Sequence, residues 1–198
     1  MRTFVATKNA GKLREMRAIF ERSPLQLETF ADYRDVEETS DSYEGNASLK
    51  ALALYEQLRA AGIEAAVLAD DSGLEVDALG NRPGIYSARY GGEDIAWTQR
   101  RALLLAELAG VAPERRGARF VSALAFVEPH GRVRSARGIV EGQITESEVG
   151  EHGFGYDPLF WYPPRSCTFA QLDPVEKNRV SHRQRAADAL LESLHDDG

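Results

Sequence analysis

Apolar residues follow two different spacings along the chain, and each spacing predicts its own kind of element. Short apolar runs at residues 4–6 and 65–69 are typical of strands, and Leu25 and Leu27 suggest a further short strand. Helical spacing predicts a helix that contains residues 13–20 and a longer helix over residues 43–61. The first half of the chain therefore alternates between strands and helices.

The second half of the chain predicts a hairpin and two further helices. Alternating apolar positions over 118–128 and 133–142 flank a Pro-His-Gly-Arg turn, which is typical of a β-hairpin. A helix is predicted over 95–108 with Asp94 as its cap, and a last helix is predicted over 182–195. The buried side of the first of these helices is predicted to carry Ala102, Leu105 and Leu108.

The composition is that of a soluble globular protein. Its 198 residues include 43% hydrophobic and 28% charged residues, and we expect a single domain over residues 1–198. The net charge of −7 argues against binding of a nucleic acid polymer, because such surfaces are strongly basic. The single cysteine excludes an intrachain disulfide. With no signal-peptide pattern and no apolar stretch of membrane-spanning length, we expect a cytoplasmic protein without a membrane partner.

Two adjacent carboxylates, Asp70 and Asp71, directly follow the apolar run at 65–69. An ionised carboxylate near an apolar interior costs free energy unless a cation or hydrogen-bond donors offset it. Ligands usually bind where the strands of open α/β sheets end, so the pair is a candidate functional site. A polar turn, in which one acid caps the next element, explains these residues equally well when they are taken alone.

A glycine-containing turn at residues 7–12 separates the first predicted strand from the first predicted helix. This geometry points backbone N–H groups and a helix N-terminus at a bound phosphate. Ala6 and Leu13 occupy the positions where a Walker loop has glycine and a metal-binding Ser or Thr, which excludes that motif. The turn therefore predicts either phosphate contact or an ordinary connection with solvated lysines.

The acidic stretch at residues 32–41 and the helix after it hold further candidates. The stretch includes Glu38 and is typical of a solvated loop, but carboxylates are also ligands that Mg²⁺ prefers. Asn46 and Lys50 lie one turn apart on the predicted helix and share a face. We expect that face to meet solvent, with a ligand cleft as the alternative.

Two C-terminal segments contain residue types that suit a nucleotide site. In the loop Gly153–Pro158, glycine permits close approach of the backbone, and an exposed aromatic ring permits stacking on a base. A tight turn with Phe154 or Tyr156 in the core is the alternative. Arg183 lies in the first turn of the last predicted helix, where a cation is unfavourable by about 0.3–1 kcal/mol unless an anion lies beside it. His182 and Arg183 are therefore candidates to face a ligand.

Short strings with recognisable spacing occur along nearly the whole chain, namely residues 7–12 (TKNAGK), 46–47 (NA) with Lys50, 69–74 (ADDSGL), 83–90 (PGIYSARY), 153–158 (GFGYDP), 176–177 (EK) and 181–183 (SHR). Taken together, these strings resemble the inosine triphosphate pyrophosphatase family, also called the Ham1-like family. They occur in the family's order.

The resemblance implies an enzyme that uses Mg²⁺ to hydrolyse purine nucleoside triphosphates with a deaminated base, namely ITP, dITP and XTP, to the monophosphate and pyrophosphate. It also implies a homodimer and an α/β fold, with an elongated mixed β-sheet flanked by helices, two lobes and a central active-site cleft. Asp71 would be the catalytic base and, with Glu38, a metal ligand. The residues that would bind substrate are Thr7, Lys8, Asn9, Ala10, Gly11, Lys12, Ser72, Phe154, Gly155, Tyr156, Asp157, Lys177, His182 and Arg183.

The two adjacent acids receive separate roles, since neighbours in an extended chain point in opposite directions. We expect Asp71 to carry the chemistry, and Asp70 to support the metal through water or to hold the turn in shape. Gly45 and Lys8 depart from the family, whose members often have an acid and a glycine at these positions. A nucleotide-binding protein without the chemistry, and a phosphatase for another phosphorylated metabolite, stay open as alternatives.

Overall fold

The structure is a computed structural model that describes residues 1–195. Five α-helices and eight β-strands, joined by turns and short helical turns, make up this part of the chain. The strands are β1 (Arg2–Val5), β2 (Gln26–Glu28), β3 (Ala66–Val76), β4 (Arg82–Pro83), β5 (Gly117–Val127), β6 (Val133–Ile144), β7 (Phe160–Tyr162) and β8 (Cys167–Thr168). The helices are α1 (Ala10–Ile19), α2 (Tyr43–Ala60), α3 (Trp97–Glu107), α4 (Pro174–Val180) and α5 (His182–His195).

The eight strands form one mixed sheet. Its order is β2-β1-β3-β5-β6-β7-β8, with β4 paired to β3. β1 runs parallel to both β2 and β3, and Phe4 lies opposite Val67 in the register. β4 pairs antiparallel with β3, and β7 pairs antiparallel with both β6 and β8. The expected α/β fold with a mixed sheet and flanking helices is confirmed.

The chain forms two compact units, each with its own core. The first unit contains Met1–Asp71, Ser122–Gly138 and α5, and the second contains Ser72–Val121 and Ile139–Ser181. Residues 196–198 of the expected domain lie outside the described residues. None of the helices within residues 1–195 has both the length and the apolar character that crossing a membrane requires.

In the first unit, helices cover both faces of the sheet. Val67 of β3 packs with Leu54 of α2. Leu68, its neighbour in sequence, packs with Met16 of α1 and Leu190 of α5. Because successive side chains of a strand point to opposite faces, β3 has an α2 face and an α1–α5 face in this unit.

The core of the second unit is built from aromatic residues and from α3. Phe120, Phe160 and Phe169 form its aromatic centre, with ring centroids between 4.5 and 5.8 Å apart. Leu104 of α3 and the buried Tyr156 belong to the same core. The core therefore also anchors the loop that precedes β7.

Most of the predicted elements are confirmed close to their predicted bounds, but the prediction for α3 is partly wrong. The helix begins at Trp97, and its N-cap is Ala96 rather than Asp94. The reason is local, since the Gln99 side chain accepts a hydrogen bond from the Ala96 amide at 2.9 Å. This side chain replaces the cap that Asp94 was expected to supply.

The buried stripe of α3 also differs from the prediction. Ala102 is exposed and Leu105 is half-buried, whereas Arg100 and Leu104 are buried. Arg100 can occupy the buried side because its guanidinium donates hydrogen bonds to the carbonyls of Tyr90, Gly92 and Glu93. A charged residue therefore lies where the apolar pattern predicts none.

The predicted end of the central strand after Ala69 is wrong. β3 continues through both carboxylates to Val76, over 11 residues. Asp70 and Asp71 are 1% and 4% exposed, so neither lies in a solvated turn. The strand can continue because each carboxylate meets a lysine ammonium on its own face of the sheet.

Candidate active site

The alternation along β3 places its two carboxylates on opposite faces of the sheet. Asp70 follows Leu68 by two residues and lies on the α1–α5 face, whereas Asp71 follows Ala69 and lies on the α2 face. The prediction that these neighbours point in opposite directions is confirmed. Each carboxylate therefore meets different partners.

On the α1–α5 face, Asp70 is enclosed by donors. Its Oδ2 lies 2.9 Å from Lys12 Nζ and 3.5 Å from Arg183 Nε, and its Oδ1 accepts a hydrogen bond from Ser122 Oγ at 2.6 Å. Arg183 also donates a hydrogen bond to Glu15 at 2.7 Å. These five residues form the Asp70 cluster, in which two cations balance two carboxylates.

The partners of Asp70 determine its ionisation. Burial alone would raise the pKa of Asp70, but the charges of Lys12 and Arg183, together with the hydrogen bonds from Ser122 and Lys12, hold this pKa far below its ordinary value. Burial lowers the pKa of Lys12, and the charge of Asp70 opposes that effect. Asp70 is therefore a permanent negative charge on the α1–α5 face.

On the α2 face, Asp71 forms a less complete set of contacts with Lys50 and Glu38, here called the Asp71 group. Lys50 Nζ lies 3.2 Å from Asp71 Oδ1 and 2.7 Å from Glu38 Oε1, so the lysine bridges two carboxylates. The other oxygen of Asp71, Oδ2, is buried and has no hydrogen-bond partner within residues 1–195. Burial raises the pKa of Asp71, Lys50 opposes this effect, and Glu38 and Asp70 add to the increase. Asp71 is thus suited to take up a proton or to contact a cation.

Asn46 fixes the segment that carries Glu38. Its Oδ1 accepts a hydrogen bond from the Ser40 amide at 2.9 Å, and its Nδ2 is buried without a partner in the described part of the chain. Asn46 and Lys50 are 0% and 7% exposed. The expectation that their shared face meets solvent is wrong, because this face of α2 neutralises the carboxylates of Glu38 and Asp71.

Of the two departures from the family pattern, Gly45 has a local explanation. A Cβ at Gly45 would lie 2.0 Å from Ser40 Oγ and 2.7 Å from Ser40 Cβ. An acid at position 45 would therefore displace the segment that carries Glu38. Lys8 has its ammonium 6.0 Å from the centre of the Tyr33 ring, at the outer limit of a cation–π contact.

The turn at residues 7–12 caps α1 with its own side chains. Thr7 Oγ1 accepts a hydrogen bond from the Asn9 amide at 3.1 Å, and Asn9 Oδ1 accepts one from the Lys12 amide at 3.0 Å. Residues 8–10 are exposed, and the first turn of α1 contains no acidic residue. The positive end of the helix is therefore accessible, as a phosphate contact requires. The contact itself stays a prediction, as does the role of the half-buried Gly11.

The start of α5 is packed closely against β6. A Cβ at Gly138 would lie 2.1 Å from the carbonyl oxygen of His182, so the approach requires glycine. His182 and Arg183 are 2% and 4% exposed. The anions that offset the cation at this helix N-terminus are the carboxylates of Asp70 and Glu15, so the position of Arg183 does not by itself indicate a ligand.

In the second unit, the loop at residues 153–158 is folded around Asp157 and Lys177. Asp157 Oδ2 accepts hydrogen bonds from the Phe154 amide at 2.8 Å and from Lys177 Nζ. The Lys177 ammonium also lies 4.9 Å from the centre of the Phe154 ring. Three of the predicted substrate residues are thus in mutual contact, and Ser72 lies half-buried on β3 in the same unit.

Helix α3 holds the other residues of this loop. The Tyr156 ring packs edge-on against Trp97 at a centroid distance of 5.3 Å, and Arg101 donates a hydrogen bond to the Gly155 carbonyl at 2.9 Å. Tyr156 is 2% exposed, whereas Phe154 is half-buried. The core interpretation therefore applies to Tyr156, and a partly accessible ring is found only at Phe154.

The Asp71 group fits a hard divalent cation. Mg²⁺ is usually bound through one or two carboxylates together with substrate phosphates and water. Glu38 and Asp71 supply two carboxylates, and the buried Asp71 Oδ2 is an oxygen ligand without a protein partner in residues 1–195. Within the same residues, no group of three or more His, Cys, Asp or Glu side chains could hold a metal ion. The arrangement suits a cation that substrate and water help to coordinate.

Glu15 and Ser122 belong to the Asp70 cluster although neither was among the predicted site residues. Glu15 is a buried acid next to Met16 on an amphipathic helix, and its cationic partner Arg183 lies 168 residues away. Ser122 lies in an apolar strand and is 0% exposed. The sequence signal for both residues is a polar side chain inside an apolar pattern. Such a pattern does not show which distant residue that side chain contacts.

Known proteins match this chain over nearly its whole length. Residues 3–193 match the model of the Ham1 family. A dITP/XTP pyrophosphatase from Exiguobacterium sibiricum is 45% identical over 197 residues, which covers 98% of this chain and 97% of the relative. A dITP/XTP pyrophosphatase from Geobacillus kaustophilus is 47% identical over 191 residues, which covers 95% and 91%.

Solved structures show the same likeness. The Ham1 protein of Staphylococcus aureus matches with a TM-score of 0.85 and 36% identity, and the match covers 100% of both chains. A HAM1 protein from Coxiella burnetii matches with a TM-score of 0.86 and 32% identity over 99% of both chains. The resemblance that the motifs indicated is confirmed.

Proposed function

The chain belongs to the Ham1 family, and we propose that it hydrolyses purine nucleoside triphosphates with a deaminated base to the monophosphate and pyrophosphate. ITP, dITP and XTP are the proposed substrates, and their removal from the nucleotide pool is the proposed role. The names of relatives that are 45% and 47% identical support this assignment. The observation that carries it is the Asp71 group, because it keeps a buried carboxylate oxygen without a partner in the described residues, beside a bridging lysine.

Asp71 is the proposed base. Attack of water on the α-phosphorus needs a group that accepts or orients a proton of that water. Asp71 suits this step because its Oδ2 has no partner in residues 1–195 and because its raised pKa makes it a stronger base. Lys12 and the N-terminus of α1 are suited to stabilise the negative charge that develops on the leaving pyrophosphate.

Mg²⁺ is the proposed cofactor, and Glu38 and Asp71 are the residues that would hold it. A bound Mg²⁺ supplies positive charge that neutralises phosphate oxygens. The support is the fit of two carboxylates, one of which has a buried oxygen with no partner in the described residues. Chelation should abolish pyrophosphate release, and added Mg²⁺ should restore it.

Selection of the base is proposed to depend on position 6 of the purine. Inosine and xanthosine have an oxygen acceptor there, whereas adenine has an amino donor. Donors among His182, Arg183 and backbone N–H groups favour the oxo form, and a buried donor left unpaired penalises adenine. Guanine shares the 6-oxo group, so its rejection requires another contact.

The proposal includes a cytoplasmic homodimer whose partners are small purine nucleotides. The family resemblance supports the dimer, and the acidic net charge of −7 supports the absence of a nucleic acid polymer. Light scattering of the purified protein over a range of concentrations tests the dimer. The measured mass should be twice that of one chain of 21.9 kDa.

A pyrophosphate-release assay across ITP, dITP, XTP, GTP and ATP tests the function. We expect pyrophosphate and the monophosphate from ITP, dITP and XTP, with ATP much slower. Release of inorganic phosphate as the first product would contradict the proposed bond cleavage. Tight nucleotide binding without any product in the presence of Mg²⁺ would instead identify a binding protein.

A further inference from the structure

Asp70 lies between Lys12 and Arg183, two cations that the resemblance assigns to substrate. Its Oδ2 lies 2.9 Å from Lys12 Nζ and 3.5 Å from Arg183 Nε, and its backbone oxygen lies 3.5 Å from the same lysine ammonium. Its Oδ1 is held separately by Ser122 Oγ at 2.6 Å. One oxygen of the carboxylate is therefore anchored, and the other holds the lysine.

Accessibility separates the members of the Asp70 cluster. The side chain of Asp70 is 0% exposed and Ser122 is fully buried, whereas the side chain of Lys12 is 14% exposed. Part of the Lys12 side chain therefore meets the surface, whereas the Asp70 side chain is enclosed and out of reach of a ligand. Any effect of Asp70 on a reaction must pass through the residues that it contacts.

We propose that Asp70 is a positioning residue that fixes the Lys12 ammonium where it meets the phosphates of the nucleotide. This inference rests on the proposed function and adds to it, since Asp70 has no role there. Lysine has a long flexible side chain with three N–H donors, and oxygens of Asp70 engage part of this capacity before a ligand arrives. Ser122 holds the carboxylate from the opposite side, so Lys12 and Asp70 are ordered together.

A purely structural role for Asp70 predicts a different outcome. Loss of a carboxylate that only balanced buried charge would lower the melting temperature and leave kcat/KM of the folded protein unchanged. A carboxylate that positions Lys12 loses its effect on turnover once Lys12 is absent. A double-mutant cycle distinguishes these two roles.

The cycle consists of Asp70→Asn, Lys12→Met and the double variant, with kcat and KM for pyrophosphate release from dITP and the melting temperature of each protein. Asp70→Asn preserves the size of the side chain and removes its charge. We expect it to lower kcat/KM by about 10- to 100-fold when Lys12 is present, and by less than about 3-fold in the Lys12→Met background. Equal losses in both backgrounds would overturn the proposal.

Glu15→Gln is the matched control. It neutralises the other carboxylate of the same cluster, the one that pairs with Arg183. Its effect on kcat/KM should be the same factor with and without Lys12. An effect of Glu15→Gln that also disappears in the Lys12→Met background would overturn the assignment of positioning to Asp70.

Ser122→Ala supplies a second cycle if Asp70→Asn does not fold. This change removes the hydrogen bond that holds Asp70 Oδ1 and keeps the charges of Asp70 and Lys12. A loss of about 2- to 5-fold in kcat/KM that disappears in the Lys12→Met background supports the proposal. The same loss in both backgrounds overturns it.

Calorimetric binding of inorganic tripolyphosphate separates this inference from the proposed function. A wild-type chain that releases no pyrophosphate from any purine triphosphate overturns the proposed function. The positioning role still holds if Asp70→Asn weakens tripolyphosphate binding only when Lys12 is present. It is overturned if tripolyphosphate binding is independent of both residues.

Discussion

The two faces of β3 accommodate adjacent carboxylates in different ways. On the α1–α5 face, the Asp70 side chain is 0% exposed, and both its oxygens meet donors, among them Lys12 and Ser122. On the α2 face, Asp71 keeps one oxygen that has no partner in the described residues, and the side chain of Glu38 is 23% exposed. A satisfied set of contacts and an unsatisfied one therefore lie one residue apart on the same strand.

This difference separates a carboxylate that can act only through its neighbours from one that can meet a ligand directly. A buried carboxylate whose oxygens are paired stabilises a fold and has little capacity left for a ligand. A buried oxygen without a partner costs free energy, and such exceptions are expected at functional sites. Substitution of Asp71 should therefore change turnover directly, whereas substitution of Asp70 should change it only through Lys12.

The largest effect is expected for Asp71→Asn. Loss of the proposed base should lower turnover by about 100- to 10,000-fold. The melting temperature should change little, because the substitution also removes a buried carboxylate whose burial raises its pKa. Pyrophosphate release and thermal unfolding of the same preparation check both parts, and turnover within about threefold of wild type would remove Asp71 from the chemistry.

Lys50→Met tests whether Lys50 stabilises the two neighbouring carboxylates of the Asp71 group. Without the bridging ammonium, Glu38 and Asp71 lose their shared cation, and we expect unfolding to become about 3 kcal/mol easier in the presence of a chelator. Added Mg²⁺ should raise the melting temperature of the variant more than that of the wild type, since a second cation can replace the first.

The matched control for this change is Arg137→Met. Arg137 forms an exposed ion pair with Glu44 of α2 at 3.3 Å, with 44% and 37% of the two side chains exposed. Its removal should cost less than about 1 kcal/mol and should show no Mg²⁺ rescue. An equal response of both variants to Mg²⁺ would mean that the ion acts outside the Asp71 group.

A smaller effect is expected for Gly45→Ala, which tests the packing behind Glu38. The added methyl group would meet Ser40 Oγ at 2.0 Å, and such overpacking costs about 1–3 kcal/mol against a helix-propensity gain of about 1 kcal/mol. Urea unfolding should show a net loss in the free energy of unfolding, and the double variant with Ser40→Gly should regain it. A single variant more stable than the wild type would show that Ser40 moves aside freely.

The smallest effect is expected in the pH dependence of stability, where the two acids act with opposite signs. The pKa of Asp70 is lower in the folded chain than its ordinary value of 3.8, so its contribution to stability is complete above pH 3.8 and is lost at lower pH. The pKa of Asp71 is raised, so its contribution is present below pH 3.8 and decreases as pH rises. Urea unfolding of Asp70→Asn should show a flatter acid limb than the wild type, whereas Asp71→Asn should not.

The local pattern of apolar residues was sufficient to predict the long helices. The apolar stripe and the preceding turn place α5 over His182–His195, as predicted, and the apolar stripe of α2 likewise gives nearly its full length. Local pattern failed where a side chain from outside the pattern supplied the missing contact. Gln99 caps α3 in place of Asp94, and Lys12 and Lys50 let β3 continue through acids that resemble a turn.

Strand and helix periods and the order of short motifs are local properties of a chain, so most of the long elements and the family could be predicted from the sequence. The partner of each carboxylate of β3 depends instead on contacts between residues far apart in sequence. Lys50 and Asp71 are 21 residues apart, and Glu15 and Arg183 are 168 residues apart. The two-residue period of a strand directs neighbouring side chains to opposite faces, but the packing of the helices determines which residues they contact there.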